Sequence, residues 1–221
     1  MAAMEQQEVH ERAGGRRRGP SKGDLREQAI LRTARGLLAD KPLERITVDD
    51  LVSGAGISRP TFYFYFASKQ AVFEALLDPV GDAIMDVADS WLTSPGGSRE
   101  ELHASLAGLA ALWSAHGPLL KVVLREDATG ALLECRDRML GRLAANATAR
   151  IDRDRAAGLA PDGPPAADLG ALMVRLLTQA LSDAIGPSGT DPVPPGLLDT
   201  LTVVVGRSIY GRTPSDPAPA G

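Results

Sequence analysis

Apolar residues along this chain recur at spacings of three and four, the signature of amphipathic helices. A first stripe, Ile30, Ala34, Leu37 and Leu38, predicts a helix over 24–40 that starts at Asp24 as N-cap and ends before Pro42. Val48, Leu51, Val52 and Ala55 form a second, shorter stripe. Thr47 caps it, Asp50 stands at its third position near the positive helix end, and Gly54-Ala55-Gly56 breaks it. Ser58 then caps a third helix, with Pro60 tolerated in its first turn. Ser68 opens a long fourth one, to about Trp91, with Phe73, Leu76, Leu77, Val80, Ile84 and Val87 on one face. Pro79 lies inside it and predicts a kink or a split.

The Ser94–Ser98 stretch, SPGGS, is a break. A fifth helix is expected to run to about His116, stopped by Gly117-Pro118, with a short sixth over 119–127 and a seventh over 129–158. Segments 166–185 and 197–210 complete a set of about nine, with no strand pattern and no internal repeat. The predicted fold is all-α. Residues 1–22 read as a disordered basic arm, 23–69 as a three-helix module, 70–212 as a helical body and 213–221 as a disordered tail.

Five consecutive aromatics, Phe62 to Phe66, stand in a chain that has nine aromatic residues in all. Their alternation also suits a strand, but Ser58 and Pro60 fit a helix start and no partner strand is in sight. On a helix, Phe62 and Phe66 share a face suited to a core. Tyr63, Phe64 and Tyr65 then point elsewhere, because a short helix cannot bury every side. Two short helices around a tight turn, the second rich in hydroxyls, aromatics and an arginine, are a helix-turn-helix pattern.

Charge sharpens this reading. The net charge is −4, yet Arg12 to Lys69 carries 12 basic and 6 acidic residues, while the remainder after Lys69 carries 12 basic and 19 acidic. A basic N-terminal module on an acidic body suits phosphate at one end. The alternative is an accidental fluctuation of composition. Arg16, Arg17, Arg18 and Lys22 form a basic stretch before the first helix, either a DNA clamp or a solubilising tail. Cys135 is the lone cysteine, which excludes an internal disulfide and fits a reducing cytoplasm. His10, His103 and His116 are scattered without a metal-binding spacing. No nucleotide-binding glycine motif appears, so neither an enzyme nor a cofactor is expected.

The span 24–78, with Gly54-Ala55-Gly56, Thr61-Phe62-Tyr63-Phe64-Tyr65-Phe66 and Ser68-Lys69, resembles the DNA-binding domain of TetR-family transcriptional repressors. The resemblance implies a homeodomain-like helix-turn-helix domain followed by a C-terminal domain for ligand binding and dimerisation. It implies phosphate contacts from Thr47, Tyr63, Tyr65 and Lys69. It puts Ser58, Arg59, Thr61 and Phe64 at or near base edges, with Pro60 among them. Arg59 has the planar fork that matches guanine, although a first-turn arginine also suits phosphate. Tyr65 stands where many relatives carry His, and so gives up the option of a positive charge.

For the body, the resemblance implies a homodimer built on the last two helices, through Leu172, Leu176, Leu181, Leu198, Leu201, Val205 and Ile209. It also implies an inducer pocket lined by Trp113, Met139, Leu143, Met173 and Leu177, with Asn146, Thr178 or Gln179 as polar anchors. Each of these residues equally suits plain core packing. An apolar lining implies a small hydrophobic ligand. The function expected is a repressor on a palindromic double-stranded operator, released by that ligand. A TetR-type activator and a ligand-binding protein with no DNA role are the alternatives. Deleting residues 1–20 should weaken DNA affinity and flatten its salt dependence in a fluorescence-anisotropy titration; an unchanged slope would reject the clamp.

Overall fold

A computed structural model describes residues 21–94, 98–124 and 130–211, and the arginines Arg16, Arg17 and Arg18 lie outside them. Eight α-helices follow one another: α1 (Lys22–Asp40), α2 (Val48–Ala55), α3 (Arg59–Tyr65), α4 (Lys69–Thr93), α5 (Arg99–Val123), α6 (Ala131–Ala156), α7 (Ala166–Ala184) and α8 (Pro195–Tyr210). A single 3-10 turn, Leu43–Arg45, precedes α2. No strand occurs among the described residues.

The helix starts follow side-chain chemistry. Thr47, Ser58 and Ser68 cap α2, α3 and α4 as the sequence indicates. At α1 the cap is Ser21 and not Asp24. The Asp24 carboxylate accepts the Ser21 N–H while its own N–H donates back to the serine hydroxyl, so the acid serves as the third residue of a capping box.

Neither internal proline splits its helix. α5 continues through Gly117-Pro118, which merges the end of the expected fifth helix with the start of the sixth and gives eight helices among the described residues where about nine were expected. Proline removes one intrahelical bond, and Gly117 here serves packing: a Cβ on it would collide with the Gly189 carbonyl of the α7–α8 loop. Pro79 likewise sits within an unbroken α4.

The apolar faces form two cores. The first joins Ile30, Leu51, Phe62, Phe73, Val80, Leu120 and Ile185, so it runs from α1–α3 through α4 into α5 and the end of α7 without a gap at residues 69–70. The second gathers Trp91, Leu102, Ile151, Leu169, Val205 and Ile209 at the far end. α5 is long and apolar enough to cross a bilayer, yet it packs against α4, α6, α7 and α8. Leu181, Leu201, Val205 and Ile209, expected at a dimer interface, are buried inside their own subunit instead. A stripe this wide turns one edge inward and leaves another out. Of the expected set Leu172 and Leu176 are left exposed and Leu198 is half-buried; Val204 of α8, outside that set, is exposed as well.

A polar cluster closes the second core. Arg150 is fully buried and donates from Nε to Asp154 at 2.6 Å, from Nη1 to the carbonyls of Trp91 and Ser94, and from Nη2 to Tyr210 at 3.1 Å. Tyr210 Oη donates in turn to Asp154 at 2.7 Å, and the guanidinium lies 4.9 Å from the centre of the Trp91 ring. Burial, and next its bond to Asp154, push the Tyr210 phenol up to about 12. The cluster ties α4, α6 and α8 together where α4 ends. Arg150→Ala would leave the buried Asp154 carboxylate without its counter-ion, and a loss of about 3–5 kcal/mol is expected in urea unfolding followed by circular dichroism. A loss below about 1 kcal/mol would show that the cluster does not hold the bundle together.

Candidate nucleic-acid interface

The α2–α3 corner is built from two glycines and two caps. Gly56, at φ 64°, ends α2 in the left-handed conformation and donates to Ser53 O, while the Ile57 N–H reaches Val52 O at 3.0 Å. Gly54 brings α2 close to α1, since a Cβ there would strike the Thr33 methyl. Ser58 caps α3 by accepting the Thr61 N–H.

This corner sorts the aromatic run by helix geometry. Phe62 and Phe66 are buried with ring centroids 6.2 Å apart, and anchor α3 to the first core. Tyr63 is 55% exposed and Phe64 81% exposed. Tyr65 is half-buried, edge-on to Phe64 at 5.0 Å, with its hydroxyl near Gly23 at the start of α1. An exposed Phe beside an exposed Tyr is a surface feature with no folding role of its own.

Most of the polar residues singled out for DNA are already engaged within the module. Thr47 Oγ1 donates to Asp50 Oδ2 at 2.8 Å and accepts the Asp50 N–H. Lys41 lies 2.8 Å from the same Asp50 oxygen; with the Thr47 bonds it holds that carboxyl down at about 2. The Ser58 and Thr61 hydroxyls share a hydrogen bond of 2.9 Å. Arg59 donates from Nε and Nη2 to the two oxygens of Asp49, at 2.7 and 2.6 Å, so the side chain stands clamped across the turn. Lys69 departs furthest from expectation. Its ammonium donates inward to Leu43 O at 2.9 Å and Ile46 O at 2.7 Å, fastening the lead-in of α2 to α4, which leaves one of its three donors. Lys22, in the first turn of α1, is exposed.

Inside the body, a narrow cavity of about 90 Å³ lies among α4–α8. Trp113, Met139, Leu143, Met173, Leu177 and Thr178 line it. Asn146 does not, and Gln179 is exposed and donates to Asp183, so neither is a polar anchor there. Wall residues the sequence reading missed include Ile84, Ala88 and Trp91 of α4 and Ser105 of α5. Trp91 Nε1 is buried without a hydrogen-bond partner among the described residues. Drug-sized ligands fill roughly 300–1,000 Å³, so anything of that size must push these side chains apart. Cys135 is buried outside this cavity, and burial pushes its thiol up, away from nucleophilic character.

Comparison with known proteins accords with this architecture. Residues 30–76 match the family model for bacterial regulatory proteins of the tetR family, and residues 102–211 match that for the C-terminal domain of the transcriptional regulator EthR. The chain is 37% identical over 203 residues to the HTH-type transcriptional regulator EthR of Mycobacterium tuberculosis, covering 90% of this chain and 93% of that one. It is 33% identical to the Mycolicibacterium smegmatis EthR, with the same coverage. The fold also matches Salmonella enterica GusR, at a TM-score of 0.66 and 19% identity over 86% of this chain and 97% of that one. The chain therefore belongs to the TetR family of bacterial transcriptional regulators. Within that family it is similar to EthR along most of its length, and these relatives are DNA-binding regulators, not enzymes.

The sorting of the aromatic run makes a direct test. Phe62→Ala should cost about 3–5 kcal/mol in urea unfolding, by opening a cavity in the core. Phe64→Ala should change stability by less than about 0.5 kcal/mol. Comparable losses from both would mean that Phe64 has a packing role this geometry does not give it.

Proposed function

We propose that the protein is a cytoplasmic repressor that binds a palindromic operator as a homodimer and is released by a small hydrophobic ligand. The observation that carries the reading is the exposed Tyr63-Phe64 face of α3, held by the buried Phe62 on the same helix and Phe66 at its C-cap. In this reading Tyr63 and Tyr65 donate to phosphate oxygens, Phe64 packs on a thymine methyl, and Ser58, Arg59 and Thr61 lie at base edges. Lys69 contributes by holding the module together. The exposed Leu172, Leu176 and Val204 support a dimer through α7 and α8.

The coupling runs along α4. Val72, Phe73 and Leu76 of this helix pack on the DNA-facing module, whereas Ile84, Ala88 and Trp91 form cavity wall. A ligand too large for the narrow cavity has to displace that wall, and Pro79 lies between the two stretches, where the helix lacks one hydrogen bond. The apolar wall favours a lipophilic ligand, with Trp91 Nε1 as a donor for one acceptor group.

Capture of genomic fragments by the full-length protein should enrich an inverted repeat. Fatty acids, alkyl esters or fused aromatics should then release it in a gel-shift assay, and a reporter under the enriched site should be silenced in their absence. Failure to enrich any sequence would reject the DNA reading. Activation of the reporter would reverse the sign of the regulation.

A further inference from the structure

Asp49 is absent from the residues expected to touch DNA, yet it determines how Arg59 is presented. A guanidinium has five N–H donors in a rigid plane. The bonds to Asp49 take Nε–H and one Nη2–H, the side-on edge of that plane. The end-on edge, one Nη1 hydrogen beside the second Nη2 hydrogen, meets no acceptor among the described residues. That edge is a two-donor fork, the arrangement that pairs with O6 and N7 of guanine. We propose that Asp49 is a positioning residue for base recognition, fixing Arg59 so that its end-on edge reads a guanine in each half-site.

The inference rests on the DNA-binding reading above. An unsupported arginine at the start of a helix can swing between phosphates and bases. One gripped side-on by a carboxylate loses that freedom before binding, and the cost of ordering it is correspondingly lower. The pair spans the turn from α2 to α3, so it ties the side chain to the scaffold as well as to its own helix. Both side chains are mostly exposed, so in the free protein the pair is screened by water and salt. Against DNA, with water displaced, the same contacts strengthen. The charge environment agrees: Arg59 holds the Asp49 carboxyl below its usual range, and Asp49 raises the guanidinium further. Asp49 also carries a negative charge close to where phosphates pass, which otherwise works against binding.

Selection from a randomised duplex library with the wild-type dimer, Asp49→Asn and Arg59→Lys tests this. The wild type should enrich a site with one strongly preferred guanine per half-site. Asp49→Asn should lower discrimination at that base by about tenfold, while affinity for random duplex stays equal or rises because a negative charge is gone. Arg59→Lys should lose the same preference, and the double variant should lose no more than either single one. Uniformly tighter binding of Asp49→Asn with the guanine preference intact would show a purely electrostatic role and overturn the proposal. So would an enriched site with no Arg59-dependent guanine. No enriched sequence with the wild type would overturn the DNA-binding reading and this inference together.

Discussion

The DNA-facing helices and the regulatory body share one apolar core, and α4 is the element through which it is continuous. Phe73 and Leu76 sit in the same cluster as Ile30, Leu51 and Phe62 on one side and Leu120, Leu181 and Ile185 on the other. Packed interiors respond to displacement in discrete steps and do not deform smoothly. The α1–α3 module therefore cannot change its angle without repacking this cluster. The opposite end of α4 is fixed differently, by carbonyls of Trp91 and Ser94 that accept from the buried Arg150. One helix is thus anchored by apolar contact at its start and by a charged hydrogen-bond cluster at its end, with cavity wall between. Displacement of that wall has two fixed ends to work against.

Much of this order is legible in the sequence, for identifiable reasons. Thr47, Ser58 and Ser68 announce helix starts because a hydroxyl placed before an apolar stripe has a local role that needs no tertiary context. The five aromatics could be divided because a hundred degrees of rotation per residue leaves Phe62 and Phe66 together and Phe64 opposite. Gly117-Pro118 misled because that dipeptide usually ends a helix. Only the approach of the Gly189 backbone reveals that the glycine serves packing. Arg150 and Asp154 look like any i, i+4 ion pair on a solvated face. Nothing local says that Trp91 and Tyr210 cover them.

The dimer and pocket residues show the same boundary. Leu201, Val205 and Ile209 lie on a good stripe, and a stripe cannot say whether it packs on its own subunit or on a partner. Thr178 and Gln179 are adjacent polar residues of equal promise in sequence. One lines the cavity and the other bonds to Asp183 in the open, a difference set by about a quarter turn of α7.

The polar groups of the α2–α3 corner constrain how recognition can work at all. The Thr47 hydroxyl donates to Asp50, Ser58 and Thr61 bond to each other, and Lys69 faces inward. A group already satisfied gains little from DNA unless its present bond survives or is replaced by a stronger one. A contact from the Thr47 hydroxyl would have to break a bond that shapes the corner itself, and Lys69 has one donor left beyond its two tethers. Groups whose contact adds to existing bonds escape this exchange. They include the open edge of Arg59, the Tyr63 hydroxyl and the Phe64 ring. Residues that build a helix-turn-helix and residues that read with it are therefore largely different sets here, although they alternate along one short stretch. Nonspecific attraction, in the proposed reading, draws on charge elsewhere, and Arg16, Arg17 and Arg18 ahead of α1 are the densest basic run in the sequence.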